Sequence, residues 1–297
     1  MDTTETSHAD AFIKAGTLTE ALPWIRRFQG SVFVIKLGGN AMVDDDLLQA
    51  FADDMVFLAT VGVKPIVVHG GGPQISRALE SRGIPSEFQG GYRVTSTEAI
   101  PVIRDVLREE ISADLQARIN RHSDLAVVLN GEDGGLFLAD RRGAMVEGVS
   151  VDLGHVGEVV QVDPSEIVAL VEQGKIPVVS SIAPNSDGSG LLNVNADAAA
   201  AALAVAVGAE KLVLLTDVAG LYANWPNTDS LISSITAEEL TQLLPTLESG
   251  MIPKMSACLD AVRGGVPKAA IIDGRLAHSL LLEAFTTSGI GTEVVAS

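Results

Sequence analysis

Two lysines stand where a lysine is costly unless an anion awaits it. Lys36 ends the apolar run Val32-Phe33-Val34-Ile35 and leads at once into Leu37-Gly38-Gly39-Asn40. That is the pattern of a buried parallel strand entering a glycine turn. Lys254 follows Pro253 ahead of the helical pattern Met255 to Val262, with the proline expected at the first helical position. A cation in that turn opposes the positive end of the helix dipole. Both placements make sense if the lysines face a phosphoryl group in transfer, so the pair predicts a phosphoryl-transfer enzyme.

Further candidates gather around them. Gly38-Gly39 and Gly70-Gly71-Gly72 are turns without Cβ atoms, whose N–H groups can converge on anionic oxygens. Neither has the spacing of a Walker A loop or of a dinucleotide fingerprint. His69, just before the second loop, reads as a structural hydrogen-bonding histidine. Arg93, in Gly90-Gly91-Tyr92-Arg93-Val94-Thr95, offers a fork suited to a carboxylate, although from sequence alone a surface ion pair is the favoured reading. Asn193-Val194-Asn195-Ala196-Asp197 opens an almost wholly apolar helix. Asn195 fits its cap, and Asp197 fits either its first turn or a fixed anion holding lysines. Thr216-Asp217-Val218-Ala219-Gly220-Leu221-Tyr222 reads as a nucleotide contact or a plain turn, and Asp44-Asp45-Asp46 as helix capping.

The elements that must position these residues recur regularly. Branched apolar runs at 32–35, 66–68, 126–129, 177–179, 212–215 and 270–272 each end in glycine or polar residues. Helical patterns follow at 46–61, 74–82, 99–121, 197–207 and 237–244. Polar residues at the carboxyl ends of parallel strands mark the ligand edge of an open α/β sheet. Hairpins are expected between about 125 and 162, and the turn-rich stretch 183–190 reads as a link between two lobes. Before Ser31, Leu18, Leu22, Ile25 and Phe28 recur at helical spacing, with Trp24 and Phe12 widening the apolar face. Pro23 is expected to kink or restart that helix. The predicted organisation is a helical arm over 1–30, an acceptor lobe over 31–184 and a nucleotide lobe over 185–297.

Composition narrows the classes. A net charge of −18 disfavours nucleic acid and anionic membranes as partners, and requires a local cation cluster for any anionic substrate. A chain of 297 residues, 47% hydrophobic, can bury one large core or two lobes. The single cysteine, Cys258, excludes an internal disulfide framework, suits a reducing cytosol and reads as a buried thiol. No apolar run is long enough for a transmembrane helix, and the acidic start is not a signal peptide.

Taken together and in order, the motifs resemble one family. Lys36-Leu37-Gly38-Gly39-Asn40-Ala41-Met42, His69-Gly70-Gly71-Gly72-Pro73-Gln74-Ile75, Gly91-Tyr92-Arg93-Val94-Thr95, 193–197, 215–222 and Gly250-Met251-Ile252-Pro253-Lys254 resemble the acetylglutamate kinases of the amino-acid kinase family, most closely the arginine-regulated bacterial type. The resemblance implies a three-layer αβα fold around an open, mainly parallel sheet. It also implies phosphorylation of N-acetyl-L-glutamate by ATP with Mg²⁺ in arginine biosynthesis, in the cytoplasm. Lys36, Lys254 and Asp197 match the catalytic set, and Gly71, Gly72, Arg93 and Asn193 the acetylglutamate contacts. Gly38, Gly39, Thr216, Asp217 and Tyr222 fall at the nucleotide, and no protein metal cage is expected. His278, Glu283, Gly289 and Gly291 lie in a stretch similar to the family's C-terminal arginine-binding signature. That implies L-arginine as an inhibitor and, with the arm, a homo-oligomer, either a dimer or a hexamer. Glu283 on a solvated helix face is the plainer alternative. Other kinases of this fold, acting on aspartate, glutamate, carbamate or a nucleoside monophosphate, are the nearest rivals. A catalytically silent arginine sensor is the rival of another class.

Overall fold

In the computed structural model, which describes residues 8–146, 149–287 and 289–297, all six branched apolar runs become parallel strands of one sheet. The first half carries β1 (Val32–Leu37), β2 (Lys64–His69), the hairpin β3 (Phe88–Gln89) and β4 (Tyr92–Arg93), β5 (Ala126–Asn130), β6 (Phe137–Arg141), β7 (Ala144–Val146), β8 (Val149–Val151), β9 (Val156–Val162), β10 (Ile176–Ser180), β11 (Ile182–Pro184) and β12 (Leu191–Val194). The second half adds β13 (Lys211–Thr216), β14 (Leu221–Tyr222), β15 (Leu231–Ile232), β16 (Ser234–Thr236), β17 (Lys268–Asp273) and β18 (Thr292–Val295). The main sheet has eight strands in the order β16-β18-β17-β13-β1-β2-β10-β5, and only β18 and β16 run against the rest. Because β1 has β2 on one side and β13 on the other, the chain reverses its direction of growth there. The carboxyl ends at that reversal form the crevice where such sheets bind ligands.

Helices cover both faces. They are α1 (His8–Phe28), α2 (Asp45–Thr60), α3 (Gly72–Ser81), α4 (Ala99–Asp105), α5 (Ala113–Ile119), α6 (Ser165–Glu172), α7 (Ala196–Ala206), α8 (Ala237–Leu243), α9 (Ile252–Arg263) and α10 (Ser279–Phe285). Strand alternation decides what faces what. Phe33, Ile35 and Leu37 of β1 pack with α2, α3, α5 and α10, while Val34 packs with α7 and α9. Lys36 is two residues on from Val34, so its side chain emerges on the α7–α9 face. Truncating Ile35 in this core should cost about 2–5 kcal/mol. In α7, Ala199, Ala200, Ala201 and Ala204 are buried, and these small side chains let α9 approach closely.

Several elements depart from expectation. α1 runs on through Pro23 without restarting there. The carbonyl deprived of its donor belongs to exposed Thr19, where water can serve it, and residues 1–7 of the expected arm lie outside the described residues. The helix over 99–121 is interrupted by a π-helical turn, Val106–Ser112, between α4 and α5. The turn-rich stretch 183–190 closes an antiparallel hairpin between β11 and β12 rather than running as a linker. It belongs to a second sheet, β11-β12-β9-β6, whose antiparallel β6–β9 pairing is one of the expected decorations, and β7 and β8 pair antiparallel as a separate two-stranded ribbon. Pro253 occupies the second rather than the first position of α9.

Candidate active site

One carboxylate gathers both lysines. Asn195 caps α7 by accepting from the N–H groups of Asp197 and Ala198, so capping does not require the Asp197 side chain. Asp197, 4% exposed, instead lies with Oδ1 2.7 Å from Lys36 Nζ and Oδ2 3.3 Å from Lys254 Nζ. The contact to Lys36 is a close ion pair without good hydrogen-bond direction. Burial pushes the Asp197 carboxyl up, but the two ammonium groups outweigh it and hold the group below the usual carboxylate range. Lys36 is itself buried, whereas the Lys254 side chain keeps 26% of its exposure. Two cations from opposite halves of the chain are thus held over the crevice by one anion.

The first glycine loop is shaped around these charges. A Cβ on Gly38 would lie 2.1 Å from Lys36 Nζ, so the ammonium occupies the space that a side chain would fill. Gly39 has φ +71°, and a Cβ there would lie 2.4 Å from Asp217 Oδ1. Only glycine meets both demands. Asp217 therefore abuts the backbone of the lysine loop. Thr216 spends its hydroxyl on its own turn, accepting from Val218 N–H at 3.2 Å, which satisfies the turn reading of that motif. Tyr222 stands further along, its ring 5.2 Å from that of Trp225.

A cleft of ≈ 130 Å³ opens at the start of α7, the helix that carries Asp197, lined among others by Gly70, Gly71, Tyr92, Arg93, Asn193 and Asn195. Arg93 is 7% exposed and sits under Phe88, its guanidinium carbon 4.6 Å from the ring centre. It is not a surface ion pair. It donates to Ser86 Oγ, to Gly72 O at 2.9 Å and to Ser76 Oγ at 2.9 Å, so its present partners are neutral oxygens. Burial lowers its pKa. Asn193 donates to Thr95 Oγ1 at 3.2 Å. Gly72 opens α3, whose N-terminus faces the same cleft. Gly91 lies against Pro253 and the Ser249 carbonyl, so the β3–β4 hairpin touches the turn that carries Lys254.

The C-terminal candidates separate into two places. Glu283, Gly289 and Gly291 line a second cavity of ≈ 270 Å³ with Lys211, Lys268, Glu293 and the arm residues Trp24 and Phe28. Glu283 is buried, not on a solvated face. It accepts from Lys211 Nζ at 2.7 Å and Ile290 N–H at 3.0 Å. His278 is elsewhere, bonded through Nδ1 to Asp54 Oδ1 at 2.6 Å. Lys211 was missed from the sequence, although a lysine opening a buried strand is the same signal that singled out Lys36. Arg142, whose guanidinium lies 4.8 Å from the Tyr92 ring centre, and Ser112 carry no such signal. Cys258 is buried, and burial raises its thiol far above the ordinary range, as an inert core residue requires. Among the described residues no group of three His, Cys, Asp or Glu is placed to hold a metal ion, and no helix is long and apolar enough to cross a membrane.

The profile of the Amino acid kinase family matches residues 31–273. An acetylglutamate kinase of Clavibacter michiganensis subsp. michiganensis is 62% identical, covering 99% of this chain and 98% of its own. Among solved structures, an N-acetylglutamate synthase of Neisseria gonorrhoeae, complexed with coenzyme A and N-acetyl-glutamate, superposes with a TM-score of 0.83 at 25% identity. That likeness covers 95% of this chain and 63% of the synthase chain. A carbamate kinase of Giardia lamblia shares the fold at a TM-score of 0.64 and 16% identity, covering 90% of this chain and 99% of that one.

Proposed function

This chain belongs to the amino acid kinase family, grouping with its acetylglutamate kinases, and we propose that it transfers the γ-phosphoryl group of ATP to the side-chain carboxylate of N-acetyl-L-glutamate. The observation that carries the reading is the single buried carboxylate of Asp197 holding Lys36 and Lys254 at the mouth of a glycine loop. An acceptor carboxylate is ionised at neutral pH and needs no general base. Transfer then requires in-line alignment and neutralisation of the charge spread over the phosphoryl oxygens. In this account Lys36 and Lys254 supply that charge, Asp197 fixes their separation, and the Gly38 and Gly39 amides donate hydrogen bonds to the oxygens of the phosphoryl group as it passes to the acceptor carboxylate. Mg²⁺ enters as part of the co-substrate, on the phosphates of ATP. Thr216, Asp217 and Tyr222 take the nucleotide side, with 185–297 as the nucleotide lobe.

The acceptor falls in the cleft that the 31–184 lobe forms together with Asn193 of β12. Arg93, Asn193, Gly71 and Gly72 are its contacts, and an acylated amino-dicarboxylate suits a site combining a cation, an amide and backbone donors. The experiment is an ADP-release assay with N-acetylglutamate, glutamate, aspartate and carbamate in parallel. Turnover confined to N-acetylglutamate supports the proposal, and preference for any other acceptor removes it.

Regulation is the finer part. L-arginine as an inhibitor would occupy the ≈ 270 Å³ cavity, its guanidinium facing Glu283 and Glu293 and its carboxylate facing Lys211 and Lys268. Phe12, Ile13, Leu18 and Leu22 of α1 are exposed along the arm, which supports a homo-oligomer, a dimer or a hexamer, built through it. Trp24 and Phe28 tie that arm to the cavity wall, and this gives arginine a mechanical route to subunit arrangement. A biosynthetic kinase of this kind is assigned to the cytoplasm.

A further inference from the structure

His69 ends β2 directly before the glycine loop of the acceptor cleft, and it is fully buried. Its Nδ1 lies 3.0 Å from the Gly70 carbonyl oxygen, and its Nε2 lies 2.7 Å from Ser112 Oγ. A carbonyl can only accept, so Nδ1 must carry the proton. Nε2 is then bare and accepts a hydrogen bond from the Ser112 hydroxyl. Burial lowers the His69 pKa to about 4, which keeps the ring in this neutral form near neutral pH.

Ser112 is the last residue of the π-helical turn, Val106–Ser112. The wider turn interrupts regular helix spacing, a feature frequent at functional sites. The same turn packs on the loop. A Cβ on Gly71 would lie 2.6 Å from Ile111 Cδ1 and 3.1 Å from Leu107 Cδ2, so the loop backbone rests directly on the π-turn. The Gly70–Gly71 peptide is trans, so its C=O and N–H point in opposite directions. With the Gly70 oxygen held on the His69 ring, the Gly71 N–H faces away from it. It finds no acceptor among the described residues, and Gly70 and Gly71 both line the cleft.

We propose that Ser112, through His69, is a positioning pair that locks the Gly70–Gly71 peptide so that the Gly71 N–H is presented to a carboxylate of the acceptor. The inference rests on the reading of this cleft as the acceptor site. Without the Ser112 hydroxyl, Nε2 can take the proton, Nδ1 then repels the Gly70 oxygen, and the peptide is free to turn. A histidine that only filled space would affect stability and leave substrate recognition alone.

The test compares Ser112→Ala, His69→Gln and His69→Asn with the wild-type chain, varying N-acetylglutamate at saturating MgATP and then the reverse. Losing an aligned donor to a carboxylate should raise the acceptor KM about tenfold in Ser112→Ala, with the ATP KM within about twofold. His69→Asn keeps a donor near the Nδ1 position and should stay closer to wild type than His69→Gln, which keeps only the Ser112 contact. If His69→Gln does not fold, Ser112→Ala alone decides. An unchanged acceptor KM in folded Ser112→Ala overturns the inference, as does an equal rise in both KM values. A wild-type protein that ignores N-acetylglutamate removes the acceptor reading itself, whereas a wild type that uses it, beside an unaffected Ser112→Ala, removes only the positioning role.

Discussion

Replacing Asp197 by Asn separates catalysis from packing most sharply. The two side chains are nearly isosteric, and the α7 cap is unaffected because Asn195 provides it. Only the charge between two ammonium groups disappears. At an effective dielectric constant of about 20, contacts of 2.7 and 3.3 Å are each worth about 5–6 kcal/mol before desolvation is counted. Lys254 recovers hydration readily because its side chain is 26% exposed. Lys36 does not, and an unpaired buried charge costs about 3–5 kcal/mol. It must deprotonate or move, and either change withdraws a cation from the phosphoryl path. Losing one preorganised charge contact lowers turnover by about 10²–10³-fold, so Asp197→Asn should lose at least that much kcat. ADP affinity by calorimetry should change far less. If Asp197 merely complemented the dipole of α7, the change would cost about 0.3–1 kcal/mol of stability and no turnover. A folded Asp197→Asn protein turning over within threefold of wild type would refute the reasoning.

Other consequences are equally concrete. Arg93→Ala should raise the acceptor KM about tenfold or more, the worth of a charge-assisted pair, with ATP kinetics nearly unchanged in initial-rate assays. Glu283→Gln should raise the arginine concentration for half-inhibition by about tenfold, measured at fixed substrates. Deleting residues 1–20, which spares Phe28 and its contact with Phe33, should lower the mass of the assembly by light scattering and weaken arginine inhibition. Asp54 is buried, and burial raises its pKa to about 6 although His278 opposes the shift. Its folded form therefore binds more protons than its unfolded form between about pH 4 and 6, and its contribution to stability is lost as pH rises through that window. Asp54→Asn should accordingly make unfolding free energy climb more steeply with pH there than in wild type. Parallel curves in denaturant titrations would contradict the assignment.

The sheet was legible because its strands are buried on both faces and therefore read as unbroken apolar runs. Lys36 stood out for the same reason: a charge inside such a run demands a partner. What the sequence lacked was any signal for long-range pairing. The hairpin through 183–190 looks identical to a linker until β12 is seen to pair with β9 as well as β11. The π-turn leaves no mark in helical periodicity, so Ser112 passed unnoticed. Pro23 costs a helix least where the freed carbonyl is exposed to water, and exposure cannot be read from one proline. Glu283 looked indifferent because its partner, Lys211, is 72 residues distant in sequence. His278 shares a stretch with Glu283, yet its αL backbone, φ 60°, sends its ring to α2 and away from the cavity.

The central claim is that the phosphoryl group goes to a carboxylate, and trapping the product tests it directly. An acyl phosphate reacts with hydroxylamine to give a hydroxamate, whereas phosphate esters do not. Incubation with ATP, Mg²⁺, N-acetyl-L-glutamate and hydroxylamine should yield one N-acetylglutamyl hydroxamate per ADP released, and none from the Asp197→Asn protein on the same timescale. ADP released without hydroxamate, or hydroxamate formed preferentially from free glutamate or aspartate, would contradict the account.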